Sequence, residues 1–362
     1  MDKVILKAAG NAYEGWQKVR INRSLTAMAG TFDLELTWQF QGDVAAYNDF
    51  IDGLLTGSEC TVDIGKDRLI TGYLDDFIPS YDDETITVSV TGRDKTADLV
   101  DCSVVQQSGQ FKNQTLLQIA VIVSTPFGIS VINETDVGAA FEQVMVEQGE
   151  TAHEFLARLA QQRGVLLTTN GLGQLVITRA SKKRGEVALK LGVNIKAGRG
   201  RFSRKLRFSE YIIKATGLGW GDDQPVENVG GISATITDKN VKRYRPLVIV
   251  NDEVTTAAGA SLRGKWERQR AISASNTAEY TLTGWRNPNT GNLYQLNRIV
   301  PVTDDIMNIN QDMLISNILY SEDNDTGRLI VLSVVDPESL NVPEKADVEL
   351  KKDWKGIPYV AN

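Results

Sequence analysis

Thr31-Phe-Asp-Leu-Glu-Leu-Thr-Trp-Gln-Phe40 is the stretch that best indicates the fold of this chain. Its even positions carry large apolar side chains and its odd positions carry polar or charged ones. Because successive side chains of a strand point to opposite faces, this pattern predicts a strand with one dry and one wet face. Residues 18–25 alternate similarly, and residues 26–30 form a short link between the two stretches. We therefore predict a long amphipathic hairpin, a building block of barrels, tubes and sheet-to-sheet assemblies.

The composition is that of a globular protein with several domains. With 362 residues, 42% of them hydrophobic and 23% charged, the chain is expected to form two to four domains. It contains no run of about 18 apolar residues, so no membrane insertion is expected. Its first ten residues are too short and too charged for a signal peptide and are interpreted as a first strand. Cys60 and Cys102 predict two thiols in a protein made in a reducing cytosol, although the sequence leaves their pairing open.

Charge is distributed unevenly along the chain. The net charge is −7, yet residues 179–207 contain eleven Lys or Arg and one acid, so this segment carries +10 and the remainder −17. Such a segment could face nucleic acid or an acidic protein surface. It could also be a solvated hairpin or linker balanced by acids of the same chain or of a neighbouring subunit.

The sequence predicts a mainly β protein with α+β insertions, built from two similar β-barrel domains, a small α+β domain and a helical insertion. Alternating strands and one helix at 44–55, with Asp43 as N-cap, indicate the first barrel. Thr151, Glu154 and Gly164 cap the best-defined helix of the α+β domain. The predicted domain boundaries are a first barrel at 1–97, the α+β domain at 98–180, a basic strand segment entering the second barrel at 181–218, an insertion with a helix at 219–275, the rest of the second barrel at 276–340 and a C-terminal tail at 341–362.

Other local patterns predict further elements. A turn is expected at 92–103 and a helix at 113–123 with Asn113 as N-cap. The basic residues at 201–208 could bind a phosphate backbone non-specifically, but the alternation of Arg204, Leu206 and Phe208 fits a strand equally well. Residues 220–229 are expected to be a loop, and 252–270 a charged helix. The turn after Thr169 is predicted to form a hairpin.

Known catalytic and cofactor motifs are missing from the sequence. His153 is the single histidine and lies in a predicted helix, which excludes a zinc site with two histidines, and no Gly-x-Ser-x-Gly elbow occurs. The Gly-x-Gly pairs at 171–173 and 217–219 lack the third glycine of a dinucleotide fingerprint. Asp323–Gly327 resembles the start of a calcium loop but is followed by Val334 where Glu is needed. The acidic groups at 75–76, 82–84 and 304–305 lie in predicted turns. No catalytic, metal or cofactor site is predicted.

The order of these pieces resembles the baseplate hub proteins of contractile-tailed, Mu-like phages. The resemblance covers nearly the whole chain, and its more specific parts are the exit turn and the helix-hairpin unit. The stretches that carry it are 16–26, 32–37, Gly92-Arg-Asp-Lys-Thr-Ala-Asp-Leu-Val-Asp-Cys-Ser103, Gly149-Glu-Thr-Ala-His-Glu-Phe-Leu-Ala-Arg-Leu-Ala-Gln-Gln-Arg-Gly164 and 170–177.

This resemblance implies a structural protein of the virion, made in the bacterial host cytoplasm. It implies a homotrimer whose six barrels match the sixfold tail tube on one side and the trimeric membrane-piercing spike on the other. Other baseplate proteins are further partners, and DNA passes transiently and non-specifically through the bore. The α+β unit also resembles LysM-type modules, so contact with peptidoglycan stays open. Catalysis, cofactors and metals are not implied.

Within that plan two groups of residues become candidate contacts. We expect the wet face of the opening hairpin, with Asp33 and Glu35, to face the bore or the stacked tube. The basic segment is expected to contact acidic surfaces of a neighbour rather than DNA. Its candidate residues are Arg199, Arg201, Arg204, Lys205 and Arg207.

Two other functions stay open at this stage. A carbohydrate-binding or adhesion tail protein would need exposed aromatic residues on one face, for which Trp220, Trp266 and Trp285 are candidates. A cell-wall glycoside hydrolase or peptidase would need two of the acidic groups to converge.

Overall fold

The computed structural model describes residues 2–39, 44–54, 56–105, 109–215, 231–251 and 257–340. The described part is mainly β with α+β insertions, as predicted. The predicted N-cap Asp43, the predicted loop at 220–229 and the tail at 341–362 lie outside these residues.

The first β unit contains the predicted hairpin. Residues 18–24 and 31–39 pair antiparallel, and Phe32 and Leu34 are buried, so the dry face of the opening stretch packs into the core. The elements of this unit are β1 (Val4–Ala8), β2 (Asn11–Tyr13), β3 (Lys18–Ser24), β4 (Thr31–Gln39), α1 (Val44–Ile51), β5 (Glu59–Ile64), β6 (Asp67–Tyr81) and β7 (Thr85–Asp94).

The α+β unit follows as a separate core. Thr151 and Glu154 form the predicted capping box and Gly164 ends that helix in the left-handed conformation, so this prediction is confirmed. The elements are α2 (Ala97–Asp101), β8 (Gln110–Gln114), α3 (Leu116–Ser124), a 3-10 turn (Thr125–Phe127), β9 (Val131–Asn133), β10 (Phe141–Met145), α4 (Ala152–Arg163), β11 (Leu166–Thr169) and β12 (Leu175–Thr178).

The second β unit is joined to the first in one sheet. Strand β3 pairs antiparallel with a strand of the second unit, for example Arg20 with Ser321, and one hydrophobic cluster contains residues of both units. The elements of the second unit are β13 (Leu189–Lys190), β14 (Ala197–Phe202), β18 (Asn276–Thr283), β19 (Ile299–Asp304), β20 (Ile309–Asp323), β21 (Gly327–Val335) and a 3-10 turn (Pro337–Leu340).

The insertion forms its own small α/β layer. Its sheet has the order β16-β15-β17, with β15 (Glu210–Ala215), β16 (Ile232–Thr237) and β17 (Pro246–Asn251). Helix α5 (Ala257–Ser275) packs on this sheet, and Gly264 lies against Ile213 and Ile236. The predicted helix is therefore present, although it extends to Ser275 rather than ending at Arg270.

Several local predictions were wrong for identifiable reasons. Thr115, not Asn113, caps α3, because its side chain accepts the N–H of Gln118, while Asn113 lies within β8 with φ 52°. Residues 92–103 are not only a turn, since β7 continues to Asp94 and α2 follows. The segment 181–218 was predicted to enter the second barrel as a whole. Only its strand β14 joins the large sheet, whereas its strand β15 belongs to the sheet of the insertion.

The α+β unit is held against the first β unit by the turn after β11. Thr71 Oγ1 donates to the Gly171 carbonyl at 2.8 Å, and Thr168 Oγ1 donates to the Ser24 carbonyl at 2.8 Å. A Cβ at Gly171 would overlap the carbonyl of Arg68, and Gly173 has φ +70°, so both positions favour glycine. The two glycines therefore serve close packing of two units.

Candidate assembly surfaces

One face of the large sheet is predominantly polar and crosses both β units. In the strand register Ser321 lies opposite Arg20, Arg20 opposite Asp33, Asp33 opposite Thr91 and Thr91 opposite Asp76. Because opposed residues of adjacent strands share a face, these five side chains form one row across β20, β3, β4, β7 and β6. We call the face that carries this row the polar face.

Neighbouring rows extend the polar face in both directions. Lys18, Glu35 and Ser89 form the next row across β3, β4 and β7. On the other side, the register relates Ser24 to Asn317, Ser333, Glu279 and finally Arg199 on β14, so the basic strand belongs to the same face.

Asp33 and Glu35 both lie on this face and have partners within it. Asp33 is exposed and accepts a hydrogen bond from Ser89 Oγ at 3.2 Å. Glu35 is half-buried and pairs with Lys18 Nζ at 2.6 Å, which raises the pKa of Lys18 above its usual value. Beside them the hydroxyls of Thr37 and Thr87 are 2.8 Å apart. The two carboxylates are thus fixed members of a hydroxyl-rich surface.

The polar face ends at a basic free edge on β14. In the described residues β14 pairs only with β18, and all six of its residues are exposed. Arg199 and Arg201 alternate with Gly198 and Gly200, so both guanidinium groups share a face. Neither arginine side chain forms an ion pair or hydrogen bond with another described residue, although Glu279 lies opposite Arg199 in the register.

The rest of the predicted basic set does not share this strand. Arg204 and Lys205 are exposed in a turn before β15, where Arg204 donates to the Asn240 carbonyl at 2.9 Å. The prediction that Arg207 contacts an acidic partner is wrong: only 1% of this residue is exposed, and its Nε and Nη2 each donate to Asp238 at 2.9 Å. A count of charges along the sequence could not distinguish this arginine, because its partner lies 31 residues away.

The opposite edge of the polar face is acidic and was not predicted. Beyond Leu74, β6 pairs with β7 but no longer with β5, so its outer edge is free among the described residues. Ile78 is 53% exposed and Tyr81 84% exposed. The turn that follows consists of the exposed acids Asp82, Asp83 and Glu84.

The Asp82 side chain orders this acidic turn. Its Oδ1 accepts hydrogen bonds from the backbone N–H groups of Glu84 and Thr85, at 2.9 and 2.6 Å. These bonds lower the pKa of Asp82. Asp83 and Glu84 have no side-chain partner among the described residues, so their charges face solvent.

The residues considered for catalysis or metal binding do not assemble into a site in the described chain. No group of three or more His, Cys, Asp or Glu residues that could hold a metal is found there. Burial in α4 lowers the pKa of His153. Asp75 lies in a strand, not in the predicted turn, and binds Arg93, while Asp304 accepts a hydrogen bond from Tyr280 at 3.0 Å.

The tryptophans predicted for glycan binding do not form a shared exposed surface. Trp285 is 3% exposed, and Trp266 lies between the guanidinium groups of Arg263 and Arg270, 5.6 and 5.4 Å from the ring centre. Trp220 lies outside the described residues. Cys60 is buried and Cys102 exposed, and both are free thiols. The described helices include none that is long and apolar enough to cross a membrane.

A mainly β chain with a polar sheet face and free strand edges is suited to pair with other chains in a larger assembly. Comparison with known proteins specifies which assembly. Three family models match in succession: "Mu phage baseplate assembly protein GpP-like, N-terminal" over residues 3–94, "Baseplate hub protein gp44-like, second domain" over 96–179, and "Mu phage baseplate assembly protein GpP, fourth domain" over 255–343.

Individual relatives agree with the family models. The baseplate hub protein gp44 of Escherichia phage Mu is 33% identical over 361 residues, which cover 98% of this chain and 92% of that protein. The 43 kDa tail protein of prophage MuSo2 from Shewanella oneidensis is 58% identical in sequence to this chain. Its crystal structure matches with a TM-score of 0.83 over 94% of this chain and 100% of that one. A tail protein from Neisseria meningitidis MC58, at 21% identity and a TM-score of 0.79 over 94% of this chain and 99% of that one, shares the fold.

The chain belongs to the family of Mu-like phage baseplate hub proteins. It is a structural component of the phage tail, and the resemblance inferred from the sequence is confirmed.

Proposed function

We propose that three copies of the chain form a ring that adapts the sixfold tail tube to the threefold membrane-piercing spike and leaves a channel for DNA. Two β units per chain give six units in a trimer, which suits contact with a sixfold tube. The partners are then two further copies, the spike protein, the tail tube and other baseplate proteins. The protein has no enzymatic role in this proposal.

The observation that carries this proposal is the polar face shared by both β units. Its opposite side is the dry face, where Ile21, Leu34, Val90, Tyr320 and Leu332 are buried in one core. A sheet that buries one face and keeps the other polar across two units is suited to form a wall. If three such walls form a ring, the polar face becomes the lining of the bore or the surface that meets the tube.

The chemistry of the polar face is compatible with passage of DNA. A strongly basic lining would bind the phosphate backbone and retain the DNA. Here Lys18 is neutralised by Glu35, and Arg20 lies opposite Asp33, while many of the remaining positions carry hydroxyl groups. Such a surface remains hydrated without offering an uncompensated basic patch near the middle of the wall.

The domain boundaries predicted from the sequence remain part of this proposal, except that residues 210–215 are counted with the insertion. The first and second β units form the ring, and the α+β unit is fixed to its outside through the Gly171 turn.

Substitution of the two carboxylates at the middle of the polar face tests the proposal. We expect Asp33→Ala/Glu35→Ala to fold and form trimers but to reduce tube docking or DNA passage, measured as complete tails by electron microscopy and as infectivity. A matched control is Glu142→Ala/Asp305→Ala, which removes two exposed carboxylates elsewhere. Normal tails and normal infectivity in the first variant would contradict the assignment of this face.

A further inference from the structure

The polar face carries opposite charges at its two free edges. Arg199 and Arg201 lie on β14 at one end of the sheet, and the acidic turn 82–84 lies at the end of the hairpin β6–β7. Six strands separate β14 from β6 in the sheet order. Seven spacings of about 4.8 Å make this distance along the sheet roughly 34 Å, so the two charged groups are too far apart along it to neutralise each other.

We propose that the basic edge of one copy, Arg199 and Arg201 on β14, binds the acidic hairpin tip of the next copy, Asp83 and Glu84 beside Tyr81. This inference rests on the proposed trimer and names the contact that closes it. Because the two surfaces are different and lie on one chain, the contact is heterologous, and repetition around a threefold axis closes a ring.

Charge complementarity identifies a second copy as the partner. Arg207 of the basic segment is neutralised within the chain by Asp238, but the remainder of each chain carries −17, so other copies can supply acids for the exposed arginines. In the described residues the two arginines lack ion-pair partners, and so do Asp83 and Glu84. Opposite charges of this kind steer association and set the register of two surfaces more than they raise affinity.

Shape and hydrophobicity support the same contact. Free strand edges expose unpaired backbone groups, and proteins avoid leaving long ones uncovered. The tip adds exposed apolar surface from Ile78 and Tyr81, and Phe202 at the end of β14 is 37% exposed. Tyrosine is enriched at the centre of protein interfaces, so Tyr81 is the expected anchor of the contact.

A charge-swap experiment tests this contact. The oligomeric state of the full chain is measured by analytical ultracentrifugation over a range of protein and salt concentrations. We expect Arg199→Glu/Arg201→Glu, and separately Asp83→Lys/Glu84→Lys, to raise the concentration at which trimers dissociate at least about tenfold, because attraction becomes repulsion. The combined variant should return to within about threefold of the wild type. Asp82 is retained in all variants because it orders the turn.

The control for the arginine variant makes the same change in net charge at exposed lysines away from both edges. Lys112→Glu/Lys239→Glu should leave the dissociation concentration unchanged. A wild-type trimer that neither reversal weakens would overturn this contact while leaving the trimer itself standing. A monomeric wild type would overturn both. The Asp83→Lys/Glu84→Lys variant could also form normal trimers but fail to give complete tails. This result would assign the hairpin tip to another baseplate protein and overturn the contact between copies.

Discussion

Removal of the Arg207 side chain should destabilise the insertion far more than removal of its exposed neighbour. The side chains of Arg207 and Asp238 are 2% and 3% exposed, and two hydrogen bonds of 2.9 Å join them. Arg207→Ala leaves Asp238 buried with an uncompensated charge, which costs about 3–5 kcal/mol. Arg207→Lys keeps the charge but loses the bidentate geometry, and we expect a loss of about 1–3 kcal/mol.

Hydrogen exchange of residues 204–215 and 231–251 measures this effect, because local opening of the insertion need not unfold the other units. Replacement of both partners, as Arg207→Met/Asp238→Leu, should recover most of the lost stability. About 1 kcal/mol should remain lost, because the backbone N–H of Asn240 donates a 3.0 Å hydrogen bond to Asp238 that leucine cannot accept. Arg204→Ala is the matched control and should change stability by less than about 0.5 kcal/mol. A loss below about 1 kcal/mol in Arg207→Ala would refute the reasoning.

Three further predictions follow from buried groups and close contacts. Burial raises the pKa of Asp94 to about 6, so ionisation of this carboxyl lowers the stability of the wild type as the pH rises from about 4 to 6. The stability of Asp94→Asn relative to the wild type should therefore increase by up to about 3 kcal/mol across that range. A difference in the free energy of unfolding that does not change with pH would contradict this prediction. A thiol reagent at neutral pH should label Cys102 quickly and Cys60 only after unfolding, because Cys60 is 2% exposed and burial raises the pKa of its thiol to about 12. Rapid labelling of both thiols in the folded protein would disprove this prediction. Gly171→Val should loosen the α+β unit from β6 and increase proteolysis between the units, whereas the exposed Leu172→Ala should not; equal proteolysis of the two variants would argue against close packing there.

Local patterns with a clear period or cap could be read from the sequence. The alternation in residues 31–40 predicted β4 and its buried face, and the Thr151–Glu154 spacing predicted α4, because both signals depend on near neighbours in the chain. The cap of α3 was misplaced since Asn113 and Thr115 are both good cap residues, and only the backbone conformation distinguishes them.

Contacts between distant segments could not be read in this way. The pairing of β3 with β20 connects residues about 300 positions apart, and it makes one polar face from two units. The burial of Arg207 depends on Asp238, and the free edge of β6 depends on where β5 begins, since Glu59 pairs with Tyr73. The resemblance indicated a hub protein, whereas the charged edges became visible only once the strand order was known.

The solution mass of the isolated wild-type protein tests the central proposal most directly. Sedimentation equilibrium at micromolar concentration should give a single species near three times the 39.8 kDa mass of the chain, and this species should dissociate as salt is raised if the charged edges close the ring. A monomer of 39.8 kDa at all concentrations and salt conditions would contradict the trimeric ring.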